Sequence, residues 1–252
     1  MTQTSEEGKP TLLLKTKLHM PHLAGIFIPR PHLVERLNRN LDRKLTLISA
    51  PAGYGKTTLM AAWLRSCERP SAWLSLDKND NDLVLFTSYF MAAIRTISPN
   101  AYSDTLGLLR SLQTPTIEYL VGTLINEIDA QKDPILLALD DYHFINDEAA
   151  QQLLARLITY QPSGLHLVIA TRSDPLLPLP RLRADRQVFE LRSEDLPFSA
   201  EEAEQFLRNA TDGTIDYETT TAIKQRTEGM DRRNTAGSFI RTENQGSGVF
   251  SR

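Results

Sequence analysis

Leu45-Thr46-Leu47-Ile48-Ser49-Ala50-Pro51-Ala52-Gly53-Tyr54-Gly55-Lys56-Thr57-Thr58 decides how the rest of the chain reads. An apolar run ends in a small, Gly-bearing loop. The loop ends in Gly-Lys-Thr, and a segment with helical character follows from Leu59 to Ser66. Strand, loop, helix is the context that a phosphate-binding P-loop requires. Glycines let the backbone approach phosphate oxygens, and successive N–H groups turn inward as a nest. The helix N-terminus adds unpaired donors and the positive end of its dipole. Pro51, Ala52, Gly53, Tyr54, Gly55, Lys56, Thr57 and Thr58 are therefore the candidate nucleotide cradle. Lys56 supplies a point charge for the β- and γ-phosphates, and Thr57 offers a hydroxyl to Mg²⁺. The strict pattern starts with glycine; Ala50 stands there instead, and Pro51 stiffens the turn. The plain alternative is a Gly-rich strand-to-helix turn with a surface lysine.

A P-loop needs an acidic partner, and Pro134-Ile135-Leu136-Leu137-Ala138-Leu139-Asp140-Asp141-Tyr142-His143 supplies one. A run apolar at every position reads as a central parallel strand, buried on both faces. Carboxylates at its C-terminal tip lie where parallel α/β sheets bind ligands. Asp140 is expected to hold Mg²⁺ and Asp141 to orient or deprotonate the attacking water. A helix cap is the competing use, but Asp147-Glu148 already opens the next helix, Ala149 to Tyr160. Leu165 to Thr171 is a further strand, ending at Arg172. That cation either touches the γ-phosphate and reports nucleotide state or is an ordinary surface arginine.

Around these landmarks the chain alternates between strand-like and helix-like segments. Residues 1–11 read as a disordered N-terminus. Leu12 to Leu18 reads as a short extended piece. Arg30-Pro31-His32-Leu33-Val34-Glu35-Arg36-Leu37 starts a helix with proline in its first turn. In P-loop ATPases such a segment brackets the adenine, which makes Arg30 a candidate contact; a packing helix is the alternative. Ser71 to Leu76 is a strand running into the acidic loop Asp77 to Asp82, read as a helix cap rather than a metal site. Helices follow at Leu83 to Ile97 and Ile117 to Ala130. Pro175, Pro178 and Pro180 mark a loop, Arg181, Arg183 and Arg186 either a phosphate-facing cluster or, more commonly for such residues, a solvated face, and Gln187 to Leu191 a fifth strand. Ser199 with Glu202 forms a capping box that opens a helix to about Asn209, and Asp216 to Arg226 is another helix.

The chain of 252 residues has 41% hydrophobic residues, enough for one large domain or a domain plus a smaller piece. A net charge of −3 gives no overall footprint for nucleic acid. One cysteine, Cys67, makes no internal disulfide and fits a reducing cytoplasm. No apolar run approaches the roughly 20 residues of a membrane span, and the polar N-terminus is no signal peptide. From Met230 to Arg252 apolar periodicity disappears, as in disordered segments. Met230 to Arg233 can be coded so that a shift of one base reads Trp-Ile-Ala-Gly, and Asn234 to Phe239 then permit Ile-Gln-Leu-Ala-Ala-Leu. The expectation is a frameshift after Gly229, which the codons of the gene decide.

Taken together, these motifs resemble the ATPase domain of the large ATP-binding LuxR-type transcription regulators. This MalT-like group belongs to the signal-transduction ATPases with numerous domains and is related to AAA and NACHT-type ATPases. The resemblance rests on Lys15-Thr16-Lys17-Leu18, Pro29-Arg30-Pro31, Ala50 to Thr58, Trp73-Leu74-Ser75-Leu76-Asp77, Leu139 to His143, Ala170-Thr171-Arg172-Ser173-Asp174-Pro175 and Thr227-Glu228-Gly229. It covers about Leu12 to Gly229, and the group shares Ala50 at the loop's first position. It implies an α/β P-loop NTPase fold: a five-stranded parallel sheet between helices, the sensor strand lying between the P-loop and acidic strands. Residues 12–197 would form the ATPase domain, 198–229 the incomplete start of a helical subdomain, and 230–252 an aberrant tail. It also implies a switch that binds ATP, ADP and Mg²⁺, hydrolyses ATP slowly and self-associates in intact relatives. Sensor and helix-turn-helix regions follow in the family and are not in this stretch, so no DNA binding is expected of it. The competing functions are an ATP-using metabolic enzyme or motor, and a non-functional truncated fragment.

Overall fold

Five short runs pair as strands because each is apolar wherever the sheet covers it. They are β1 (Leu45–Ser49), β2 (Ser71–Ser75), β3 (Ile135–Asp140), β4 (Leu165–Thr171) and β5 (Val188–Arg192). All pairings are parallel, in the order β2-β3-β4-β1-β5. The computed structural model describes residues 12–23, 25, 27–99, 103–109, 115–131 and 133–210. The helix expected at Asp216 to Arg226, both terminal segments and the proposed frameshift lie outside the described residues.

The period-two alternation of each strand sorts its side chains between two cores. Leu45, Leu47, Leu137, Leu139, Leu167 and Ile169 face one core. It is covered by α3 (Leu83–Arg95), α5 (Ile117–Asp129) and α6 (Glu148–Thr159), with α4 (Ser103–Leu109) packed beside α5. Ile48, Leu136, Ala138, Val168 and Ala170 face the other core. There α1 (Pro31–Asn38) and α2 (Lys56–Ser66) bring Leu33, Leu37, Met60 and Trp63 against the sheet. One polar pair is built into this second face: Thr46 Oγ1 lies 2.9 Å from His166 Nε2, and His166 Nδ1 lies 2.6 Å from the Arg43 carbonyl. The carbonyl assigns the ring proton to Nδ1, leaving Nε2 to accept from the threonine hydroxyl.

Two segments differ from expectation. Lys15–Leu18 is a 3₁₀ turn rather than extended chain. Lys17 Nζ donates to Asp80 at 2.7 Å and 2.8 Å and sits over the Tyr89 ring, so ion pairing curls the segment onto the sheet's flank. The proline-marked loop contains α7 (Leu179–Ala184). Pro178 caps it and Pro180 falls in its first turn, where a missing N–H is harmless. The acidic loop after β2 acts as a cap: Asp77 accepts from Asn79 N and Asp82 from Leu85 N. The capping box at Ser199 and Glu202 forms and opens α8 (Ala200–Ala210). Among the described residues no helix is long and apolar enough to cross a membrane.

Candidate functional site

β1 ends at Ser49, and the Ala50 N–H donates to the Thr171 carbonyl at 3.2 Å, tying the loop's start to the end of β4. The turn then needs two residues of positive φ, Gly53 at 87° and Gly55 at 73°, where an L side chain is strained. Gly55 is also the N-cap of α2, so no side chain occupies the first helical N–H groups. Pro51, Ala52, Gly53, Gly55 and Thr58 are exposed, whereas Tyr54 leans on the second core. Open donors at a helix start with a shallow loop around them are what an anion needs. Lys56 is buried, and its Nζ donates to the Pro51 carbonyl at 2.9 Å. Burial lowers its pKa, Arg172 adds to the effect, and Asp141 and Asp140 oppose it.

Asp140 continues the parity of Leu136 and Ala138, so its carboxylate emerges beneath α2. Thr57 Oγ1 donates to Asp140 Oδ1 at 3.1 Å, and the Asp141 N–H donates to the same oxygen at 3.0 Å. Only 4% of Asp140 is exposed. Burial, then the neighbouring Asp141 charge, pushes its pKa up to about 6. A hydroxyl beside a buried, underneutralised carboxylate is an all-oxygen donor set that suits Mg²⁺ with retained waters. The two residues therefore fit the cation that the loop implies.

Asp141 has φ 56° and ψ 36°, a left-handed conformation uncommon outside glycine. It lifts a half-exposed carboxylate to the rim while Tyr142 turns back into the core. Arg172 is exposed at the tip of β4, near enough to depress the pKa values of both Lys56 and His143. Lys56, Thr57, Asp140, Asp141 and Arg172 thus share one end of the sheet. Arg30 is engaged differently. Its guanidinium donates to Glu202 Oε1 at 3.2 Å and to the Leu196 and Pro197 carbonyls at 2.8 Å and 2.7 Å, beneath the Phe198 ring. It bolts the start of α8 to the segment before α1. Glu202 escaped notice as its partner because only its capping role is visible locally.

The family model for the NACHT domain matches residues 44–212. The chain belongs to the NACHT family. It is 34% identical over 195 residues to the HTH-type transcriptional regulator MalT of Yersinia pestis (strain Pestoides F), covering 77% of this chain and 22% of that protein. The MalT of Klebsiella pneumoniae is 32% identical over the same share of each. The chain therefore spans about a fifth of the length of these relatives and is a MalT-like NTPase domain. Among solved structures, the Walker-type ATPase PABY2304 of Pyrococcus abyssi superposes with a TM-score of 0.53 at 16% identity, over 83% of this chain and 67% of that one. The Aeropyrum pernix ORC1 protein, solved in complex with DNA, gives 0.50 at 16% identity, over 83% and 58%. At that identity the likeness concerns the fold, a five-stranded parallel sheet in which β4 lies between β1 and β3.

Proposed function

We propose that this chain is the nucleotide-operated switch of a cytoplasmic LuxR-type transcription regulator, binding ATP or ADP with Mg²⁺ and hydrolysing ATP slowly. The observation that carries this reading is the Thr57–Asp140 hydrogen bond, which joins the phosphate loop to the acidic strand beside a buried lysine. The β- and γ-phosphates lie against the N–H groups of Gly53 to Thr58, and Lys56 exchanges the Pro51 carbonyl for phosphate oxygens. Thr57 and Asp140 would hold Mg²⁺, which would supply charge to neutralise the phosphates. In hydrolysis a water oxygen bonds to the γ-phosphorus, and the bond from that phosphorus to the bridging oxygen of ADP breaks. The water proton goes to Asp141, and ADP and inorganic phosphate leave. Arg172 meets the γ-phosphate, so ATP and ADP leave the β4 tip in different electrostatic states. Self-association in the ATP state and DNA recognition belong to the longer regulator, the latter to segments other than residues 12–210.

Equilibrium titration of the purified chain with ATP and with ADP, in Mg²⁺, tests this reading. Both nucleotides bind, ADP is retained tightly, and turnover is slow. Lys56→Ala loses most of the affinity. Affinity unchanged in Lys56→Ala removes the phosphate cradle, and fast turnover with weak ADP retention points to a metabolic enzyme or motor.

A further inference from the structure

β1 lies between β4 and β5, and an ion-pair strap crosses its C-terminal end. Ser49, the last residue of β1, is flanked in register by Thr171 on β4 and by Arg192 on β5. Just past β4, Asp174 reaches over to that arginine: Arg192 Nη1 donates to Asp174 Oδ1, and Nη2 donates to Oδ2 at 3.3 Å. Arg183 of α7 donates to Asp174 Oδ2 at 3.2 Å. Glu190 accepts from both guanidinium groups, from Arg183 at 2.9 Å and 3.1 Å. The bonds from Arg192, reinforced by Arg183 and opposed by burial, hold the Asp174 carboxyl below the usual carboxylate range. Isolated surface pairs contribute little, but a forked arginine–carboxylate pair within a network fixes geometry. The stretch it holds begins at Thr171, whose hydroxyl donates to the Ser173 carbonyl at 2.9 Å, and ends at Leu177, buried in the first core. Arg172 lies inside that stretch, exposed, two residues before Asp174.

We infer that Asp174 is a positioning residue for Arg172: by strapping the turn after β4 to β5 across the root of the phosphate loop, it aims the Arg172 guanidinium at the γ-phosphate and so sets the discrimination between ATP and ADP. The inference rests on the nucleotide reading above. An arginine side chain has several rotatable bonds, and a loose backbone beneath it adds to the freedom lost when it meets phosphate. Anchoring that backbone beforehand removes part of the cost, so the contact is stronger. The Ala50 N–H donates to the Thr171 carbonyl, so the strap keeps Arg172 in fixed register with the start of the cradle. ADP has no γ-phosphate, and its affinity does not depend on where Arg172 points. Asp174 itself touches no nucleotide; its carboxylate is spent on the two arginines.

The test uses the full chain, with Kd measured for Mg-ADP and for a non-hydrolysable Mg-ATP analogue and unfolding midpoints recorded for each variant. Asp174→Ala weakens the ATP analogue roughly 10-fold and leaves the ADP Kd unchanged. Asp174→Glu, which keeps a carboxylate for the arginine fork, recovers most of the analogue's affinity. Glu190→Gln removes a charge from the same arginines but lies on β5 and bridges nothing, and it keeps the wild-type ratio of the two Kd values. In an Arg172→Ala background Asp174→Ala has no further effect, because the side chain it aims is gone. A wild-type ratio in Asp174→Ala, beside an altered ratio in Arg172→Ala, overturns the inference while leaving the nucleotide reading in place. So does a parallel loss of both nucleotides with a lowered midpoint, which marks a merely structural staple. An equal shift in Glu190→Gln, or a loss that adds in full to Arg172→Ala, overturns it as well. A wild-type chain that binds neither nucleotide, or a wild-type ratio in Arg172→Ala, removes the reading on which the inference stands and the inference with it.

Discussion

Asp140 and His166 lie on the α2 side of neighbouring strands, at opposite ends of the sheet, and their titrations oppose each other. The Asp140 pKa rises from 3.8 to about 6 on folding, mainly through burial. Its contribution is therefore fully present below about pH 4 and is lost as pH rises through 6, on the order of 3 kcal/mol. The His166 pKa falls from 6.5 to about 4, again mainly through burial. Its contribution is fully present above pH 6.5 and is lost as pH falls toward 4, also on the order of 3 kcal/mol. In the nucleotide-free chain the two slopes cancel across that window. Asp140→Asn removes one of them. Thermal unfolding is expected to show a higher midpoint than wild type at pH 7, a steep loss of stability between pH 6.5 and 4, and no further gain from Mg²⁺. Equal midpoints for the two proteins at pH 7 would show that the buried carboxylate is not strained.

At the scale of elements, two ion pairs fix segments that local sequence leaves free. Glu202 both closes the cap of α8 and receives Arg30, which is 9% exposed. Glu202→Ala leaves a buried guanidinium short of its counter-charge, a loss of about 3 kcal/mol. Hydrogen exchange is expected to speed up in α8 and not in β4. Lys17 joins the first 3₁₀ turn to Asp77 and to Asp80, which is fully buried. Lys17→Ala should lower stability to urea by about 3 kcal/mol. Asp80→Asn in that background should restore part of the loss by removing the stranded charge. These links also explain what the sequence could and could not show. β3 was legible because burial on both faces makes it apolar throughout, and α8 because Ser199 and Glu202 announce its start. Lys15–Leu18 is too short for periodicity to register, and α7 was hidden by prolines that suit a first helical turn. The ion pair of Arg30 with Glu202 was not legible, because its partner lies far along the chain and a distant ion pair leaves no local signature. The nearness of Thr57 to Asp140 was legible, since each ends a recognisable motif.

For the whole molecule, stability and occupancy are linked. A ligand that binds only the folded chain adds about 2.7 kcal/mol at a hundred times its Kd. Mg-ADP should raise the unfolding midpoint accordingly, and Lys56→Ala should abolish that rise. The two cores meet across a single sheet, so loosening either one reaches the other through β1, β3 and β4. The strand order has a further outcome for biosynthesis. Among the described strands, β1 hydrogen-bonds only to β4 and β5, the two latest in the chain: Leu45 pairs with Leu167 and with Val188. Contacts so distant along the chain form late. A nascent polypeptide leaving the ribosome N-terminus first therefore carries its phosphate loop without a scaffold until β4 and β5 have emerged. During that interval it can grip no nucleotide, and its bare apolar strands are exposed to chaperones and to aggregation.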